Sequence, residues 1–435
     1  MTKIKMHYKS NALFTYTFIS VFLLLFFLLT TKYTEQYGDS FRPFYNAGLV
    51  FSFLILFLGV LKLRLNKNAF YKIIIQPPII LFAVILFYFL FSAIYTNFSI
   101  GGRQVNEVLY FIYWIIVIPI LPFLVGNKTI SVDEIIYLTS KTILIYSVFS
   151  IVIAILLMFN VLHIQIGSVV FEQSIYLKSR LHGMLGESTG FSALIGLSTL
   201  SLYYINEYKG IFQNKAIFLM LLIAIFFSGS RNAIVSISVI YLVFIFIEGI
   251  TLNKILKYFV YILLLLVIFT VILYATNFSD TIQILYFDRP DLDMTNNFSR
   301  LYRWDQIIQR YADGDLITYL FGRGAYMLRH DFMAGFNSPL EMLYDYGLFI
   351  FITYISSFLL SFYIGIKKYK ATGSLIYKYG LMLTIYGFMF LMFMSYFPVS
   401  MFNFATFSYV FGILLICIPY DSVTSDACLK CSISK

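Results

Sequence analysis

The chain has 435 residues, of which 60% are hydrophobic and 12% charged, with a mean hydropathy of +0.85. That balance excludes a soluble globular protein, where charged residues approach a quarter of the chain. The formal charge of +10 resides mainly in lysines beside apolar runs. Attraction to anionic lipid headgroups explains it, and nucleic acid is not the expected partner.

Apolar runs long enough for a hydrocarbon core of ~30 Å predict twelve transmembrane helices. In chain order they lie near 11–31, 44–61, 73–95, 106–125, 142–162, 186–205, 215–229, 232–248, 259–276, 347–366, 375–397 and 404–419. The expected fold is therefore an all-α integral membrane protein with one polytopic domain over 1–435. The first run, Phe14 to Leu29, is followed by Thr30-Thr31-Lys32-Tyr33, a poor signal-peptidase site, and reads as a retained span. The seventh and eighth are one apolar run interrupted by Ser228-Gly229-Ser230-Arg231-Asn232. Cys428 and Cys431 lie in the tail 420–435, where an isolated CxxC reads as incidental.

Basic residues set the orientation. Eighteen of twenty lysines fall on the side of the N-terminus, which the positive-inside rule assigns to the cytoplasm together with the C-terminus. Ten of eleven arginines fall on the opposite side. The rule does not explain that second bias. A guanidinium is a planar fork suited to phosphate and carboxylate oxygens, so an outer arginine face points to a large anionic substrate.

Two outer connections are long. One is His163–Leu185; the other, 277–346, has roughly seventy residues. Loops of that length are functional or disordered, and the apolar spacing of Leu301, Trp304, Ile307, Ile308 and Tyr311 favours order. It predicts an amphipathic helix capped by Asn297 or Ser299, lying on the membrane with Trp304 at headgroup level. The loop carries Arg289, Arg300, Arg303, Arg310, Arg323 and Arg329 and no lysine, beside ten of the 21 acidic residues. Most of those charges read as a salt-bridged, solvated cap.

Four stretches resemble the O-antigen polymerase and ligase family of bacterial surface-polysaccharide assembly. They are Arg180-Leu-His-Gly-Met-Leu-Gly-Glu187-Ser-Thr-Gly190, Phe227-Ser-Gly-Ser-Arg231-Asn-Ala-Ile234 and Ser299-Arg300-Leu-Tyr-Arg303-Trp304. The fourth is Phe321-Gly-Arg323-Gly324, followed by Phe336-Asn337-Ser-Pro-Leu-Glu341-Met-Leu-Tyr-Asp345-Tyr-Gly347. The likeness covers about Arg180 to Gly347 and the helix layout. Ligases, and many polymerases, carry histidine before the asparagine of the last motif; Phe336 stands there here, which speaks against a histidine-dependent ligase mechanism and favours the polymerase branch, whose sequences vary more.

The resemblance implies transfer of a polyprenyl-pyrophosphate-linked glycan onto a hydroxyl of a lipid-linked repeat unit at the outer membrane surface. Membrane lipids and a chain-length regulator protein are the further partners it implies. Leaving pyrophosphate develops negative charge, which arginines would stabilise, so neither a metal nor a cofactor is expected. Arg231 is the strongest candidate: its helix from Lys215 is short for the bilayer, and a charge at that depth needs a partner. Arg300 and Arg303 share a helix face. Arg180 reads equally as a ligand or an interface anchor, and Arg323 as part of an anion-binding turn or an exposed charge. Glu187, His330, Glu341 and Asp345 are candidate general bases, each with a structural role as the competing reading. Asn337 would close the loop by hydrogen bonding. Asp291/Asp293 and Asp313/Asp315 form DxD pairs without support as metal ligands. Alternatives are an O-antigen ligase and, from another class, a lipid-linked oligosaccharide flippase or secondary transporter.

Overall fold

The computed structural model describes residues 72–100, 131–158, 164–166, 169–171, 188–209, 215–228, 230–249, 300–324, 327–332, 338–392 and 404–419. The spans expected near 11–31, 44–61, 106–125 and 259–276, both chain ends, Arg180, Glu187 and Asn337 lie outside them. The described residues form helices α1 (Pro77–Ile100), α2 (Val132–Met158), α3 (Ser188–Lys209), α4 (Lys215–Phe227), α5 (Arg231–Glu248), α6 (Arg300–Ala312), α7 (Leu316–Phe321), α8 (Met327–Phe332), α9 (Ser338–Thr372), α10 (Leu375–Met392) and α11 (Phe404–Cys417). One antiparallel ribbon, β1 (Ile164–Ile166) with β2 (Val169–Phe171), follows α2.

Among the described residues, five stretches are long and apolar enough to cross a membrane: Pro77–Thr96, Val132–Leu156, Arg231–Glu248, Pro339–Thr372 and Leu375–Met392. Two differ from the sequence expectation at their starts. α2 begins at Val132, not near 142, because Ser131 and Glu134 form a reciprocal capping box: Glu134 N–H donates to Ser131 Oγ at 3.3 Å and Ser131 N–H to Glu134 Oε2 at 3.2 Å. α9 begins at Ser338. Gly347, expected at the start of a span, instead sits inside it as a kink with φ 77° and ψ 179°.

α10 is the centre of the described bundle, packed against α3, α5, α9 and α11. Its partner surfaces are built from small residues, which let backbones approach where hydrophobic burial drives little association. Gly387 faces Tyr409 N and Ala405 O, and Gly412 faces Thr384 and Gly380 O. Polar side chains stitch the same layer. Tyr379 meets Ser201 at 3.0 Å and accepts from Ser140 at 3.2 Å, and Ser147 bonds Ser198. Tyr386 donates to Ala193 O at 3.0 Å.

The two ends of the bundle differ in chemistry. At one, Lys378 meets Glu248 at 2.7 Å, Tyr369 donates to the same carboxylate, and Lys368 caps the carbonyls of Ile416 and Ile418. Lys209 lies over Tyr137 there, and Tyr204 donates to Asp133. The opposite end carries Arg231 at the start of α5 and the helices α6–α8 docked on the first turns of α9. Described lysines and arginines thus occupy opposite ends.

Candidate functional site

The arginine end is assembled by α6. Its spacing buries Ile307 against Leu328 of α8 and Tyr344 of α9, with Tyr311, Met327 and Leu340 packed around them. The expected amphipathic helix is present, but part of its apolar face covers protein. Ile308 stays 53% exposed, and Trp304 is half-buried. Arg300 and Arg303 both lie on α6, one turn apart as expected.

α6 ends at Asp313-Gly314, and Asp315 caps the next helix by accepting from Thr318 N–H at 2.8 Å. The Thr318 side chain, first, and this backbone bond, second, hold the Asp315 carboxyl below its ordinary range. Tyr311 is pushed up to about 12, first by desolvation and then by the neighbouring Tyr319, on whose ring it stacks at 5.0 Å. The second DxD pair therefore uses one carboxylate as a helix cap. Among the described residues no group of three or more His, Cys, Asp or Glu is placed to hold a metal.

The Gly322-Arg323-Gly324 turn interlocks with the α9 kink. Helical carbonyls at Tyr344 and Asp345 would bond the amides four residues on, beyond the kink at Gly347, which breaks that register. Arg323 N–H and Gly324 N–H take their place, each at 2.9 Å. The fit needs glycine on both sides. Gly322 has φ 79°, and a Cβ there would meet the Asp345 carbonyl; a Cβ on Gly347 would meet Leu320 O and Gly322 N. The expected anion-binding turn is not formed, because these amides already donate to carbonyls.

Arg323 itself closes a ring of contacts. Its Nη2 donates to Arg310 O at 2.8 Å and its guanidinium lies 5.3 Å over the Tyr344 ring. Tyr344 donates its hydroxyl to Asp331 at 2.6 Å, and Asp331 faces Arg310 at 3.7 Å. The Arg323 Nε is buried without a hydrogen-bond partner among the described residues. Arg323 thereby joins α6, α8 and α9. Arg310, Asp331 and Tyr344 were not singled out from the sequence; their pairing spans three helices and leaves no local pattern.

The candidate carboxylates Glu341 and Asp345 are one turn apart on α9, each 6% exposed. Asp345 Oδ1 accepts from Leu328 N–H at 2.7 Å, which tethers the first turn of α8. His330 and Arg329 lie on α8 itself, so the structure brings the backbone positions of two candidate bases, Asp345 and His330, into one small assembly. Arg231 stands apart, exposed at the first position of α5, after a turn in which Ser228 Oγ accepts from Ser230 N–H. α4 before it has 13 residues, a rise of about 20 Å, against a core of ~30 Å.

Comparison with protein-family models and with curated proteins finds no match to this chain.

Proposed function

We propose that the chain is a polysaccharide polymerase of the O-antigen polymerase and ligase type, a metal-independent glycosyltransferase of the bacterial cytoplasmic membrane. The lysine end would face the cytoplasm and the arginine end the exterior. One observation carries the reading. Six described arginines gather at one end of the bundle, five of them on the folded segment 300–332 that docks beside two buried carboxylates, Glu341 and Asp345. That is the chemistry a lipid-borne diphosphate and an attacking hydroxyl require.

In the reaction proposed, the acceptor hydroxyl oxygen bonds to the anomeric carbon of the donor. The C–O bond to pyrophosphate breaks, and the hydroxyl proton passes to a carboxylate or to His330. Arg231, Arg300 and Arg303 would hold the departing diphosphate, where preset charge stabilises the transition state more than the ground state. Arg323, already held by Arg310 O and Tyr344, would position the segment.

Arg231→Ala and Arg300→Ala strains are expected to lose long-chain polysaccharide at normal protein levels while single lipid-linked repeat units accumulate. Unchanged long chains would overturn the proposal. Accumulation of full-length lipid-linked polymer would indicate a ligase, and movement of labelled lipid between leaflets by the purified protein a flippase.

A further inference from the structure

The turn after α7 stands at the level of a membrane-crossing helix rather than above it. Tyr88 of α1 donates its hydroxyl to Phe321 O at 2.5 Å. Tyr88 lies eight residues inside the apolar stretch that ends at Thr96, about 12 Å of helical rise and more than a tyrosine side chain can reach. Phe321 is thus held well below the top of α1.

Irregular backbone at such depth survives only where protein satisfies its polar groups. Here the protein supplies partners for four of them: Gly322 N–H donates to Thr318 O at 2.8 Å, the amides of Arg323 and Gly324 donate to the kink carbonyls, and the Phe321 carbonyl takes the Tyr88 hydroxyl.

The outward side of α7 is apolar and uncovered. Leu316 is 73% exposed, Ile317 69% and Phe321 50%. The surface continues along the crossing helices: the Tyr88 ring contacts Phe349 at 6.4 Å, and Phe349 and Phe91 are themselves exposed. Polarity changes sharply at the helix start, where Asp313 and Asp315 are exposed and Leu316 begins the apolar run. A boundary of that kind matches the step from headgroups to acyl chains.

We infer that Leu316–Gly324 is a re-entrant element: α7 is immersed in the leaflet at the arginine end, and lipid acyl chains are the partner of Leu316, Ile317, Leu320 and Phe321. The arginine segment is thereby anchored in lipid on one side and locked to α9 on the other. Its height relative to the headgroups is fixed by both.

The test uses the full chain with its three cysteines replaced, in phosphatidylcholine nanodiscs free of any glycan lipid. An environment-sensitive fluorophore is placed on Ile317→Cys and, as the aqueous control, on Gln309→Cys of α6. The Ile317 probe should be quenched several-fold more by acyl-chain doxyl groups, and several-fold less by iodide, than the control. Equal iodide quenching at the two positions overturns the inference. Protection from both quenchers overturns it too, because a second copy of the chain would then be the occupant. If the cysteine-free background does not fold, the same contrast is read in native membranes with the natural cysteines kept. Water-soluble maleimide should then react several-fold faster with Gln309→Cys, the unsubstituted chain serving as blank, and equal rates overturn the inference. Neither measurement depends on the glycosyl transfer proposed above.

Discussion

Gly347→Ala isolates what the interlock contributes. The native backbone there, φ 77° and ψ 179°, belongs to a region essentially reserved for glycine, so alanine carries a strain of about 1–3 kcal/mol. Its Cβ would also collide with Leu320 O and Gly322 N. Relieving that overlap moves the turn off the kink and breaks the amide bonds from Arg323 and Gly324, each worth about 1 kcal/mol net. The sum is about 3–5 kcal/mol. Gly373 supplies an internal control, with a similar φ of 63° and, among the described residues, no heavy atom within 4 Å of where a Cβ would stand. Alanine there costs only about 1–2 kcal/mol. Hydrogen–deuterium exchange in nanodiscs reads the difference. Peptides covering 320–326 should exchange about a hundredfold faster or more in Gly347→Ala, at tenfold per 1.4 kcal/mol, and unchanged in Gly373→Ala. If both variants leave that segment equally protected, the proposed collision and the paired amides are wrong.

Three further outcomes are expected. Ser131→Ala removes half of the capping box and should destabilise α2 by about 1 kcal/mol, with Glu134→Ala adding less on top of it in a double-mutant cycle. Glu248→Gln leaves Lys378 among the Tyr203 and Phe244 rings, a loss of about 1–3 kcal/mol, read by denaturant unfolding in mixed micelles. A Lys378→Met, Glu248→Leu pair should recover much of it. Asp315 titrates below its ordinary value, so its cap is fully present above an unfolded pKa of about 3.9 and is lost as pH falls through the depressed folded value. The Thr318 amide should stay protected from neutral pH down to about 4 and lose protection below; loss of protection nearer neutrality would contradict the capping bond.

Much of the bundle was legible because its signals are local. The break between α4 and α5 announced itself at Ser228–Asn232, α6 through the periodicity of Trp304, Ile307 and Tyr311, and the separation of lysines from arginines through their counts on alternate loops. The ends of α2 and α9 were not, since hydropathy sees only the apolar stretch. Val132–Lys141 carries Asp133 and Glu134, and Ser338–Tyr346 carries two acids, so both helices begin in sequence that looks like a loop. The role of Arg323 was hidden for a different reason. Its neighbours Gly322 and Gly347 are separated by 24 residues and meet only once α9 kinks, and Tyr88, which fixes their depth, lies 233 residues from Phe321. No windowed pattern reaches that far.

The hydroxyls buried around α10 bear on how the chain is made. Tyr379 follows Ser201 by 178 residues and Ser140 by 239, which at ordinary elongation rates is a wait of about 10 s or longer. Through that interval α2 and α3 already sit in lipid, joined by Ser147 and Ser198, each of which also bonds its own helix four residues back. Ser140 and Ser201 stay without their tyrosine until the later helix emerges. A chain stalled before that point lacks Tyr379, the side chain that ties α2 and α3 to α10 through these two hydroxyls.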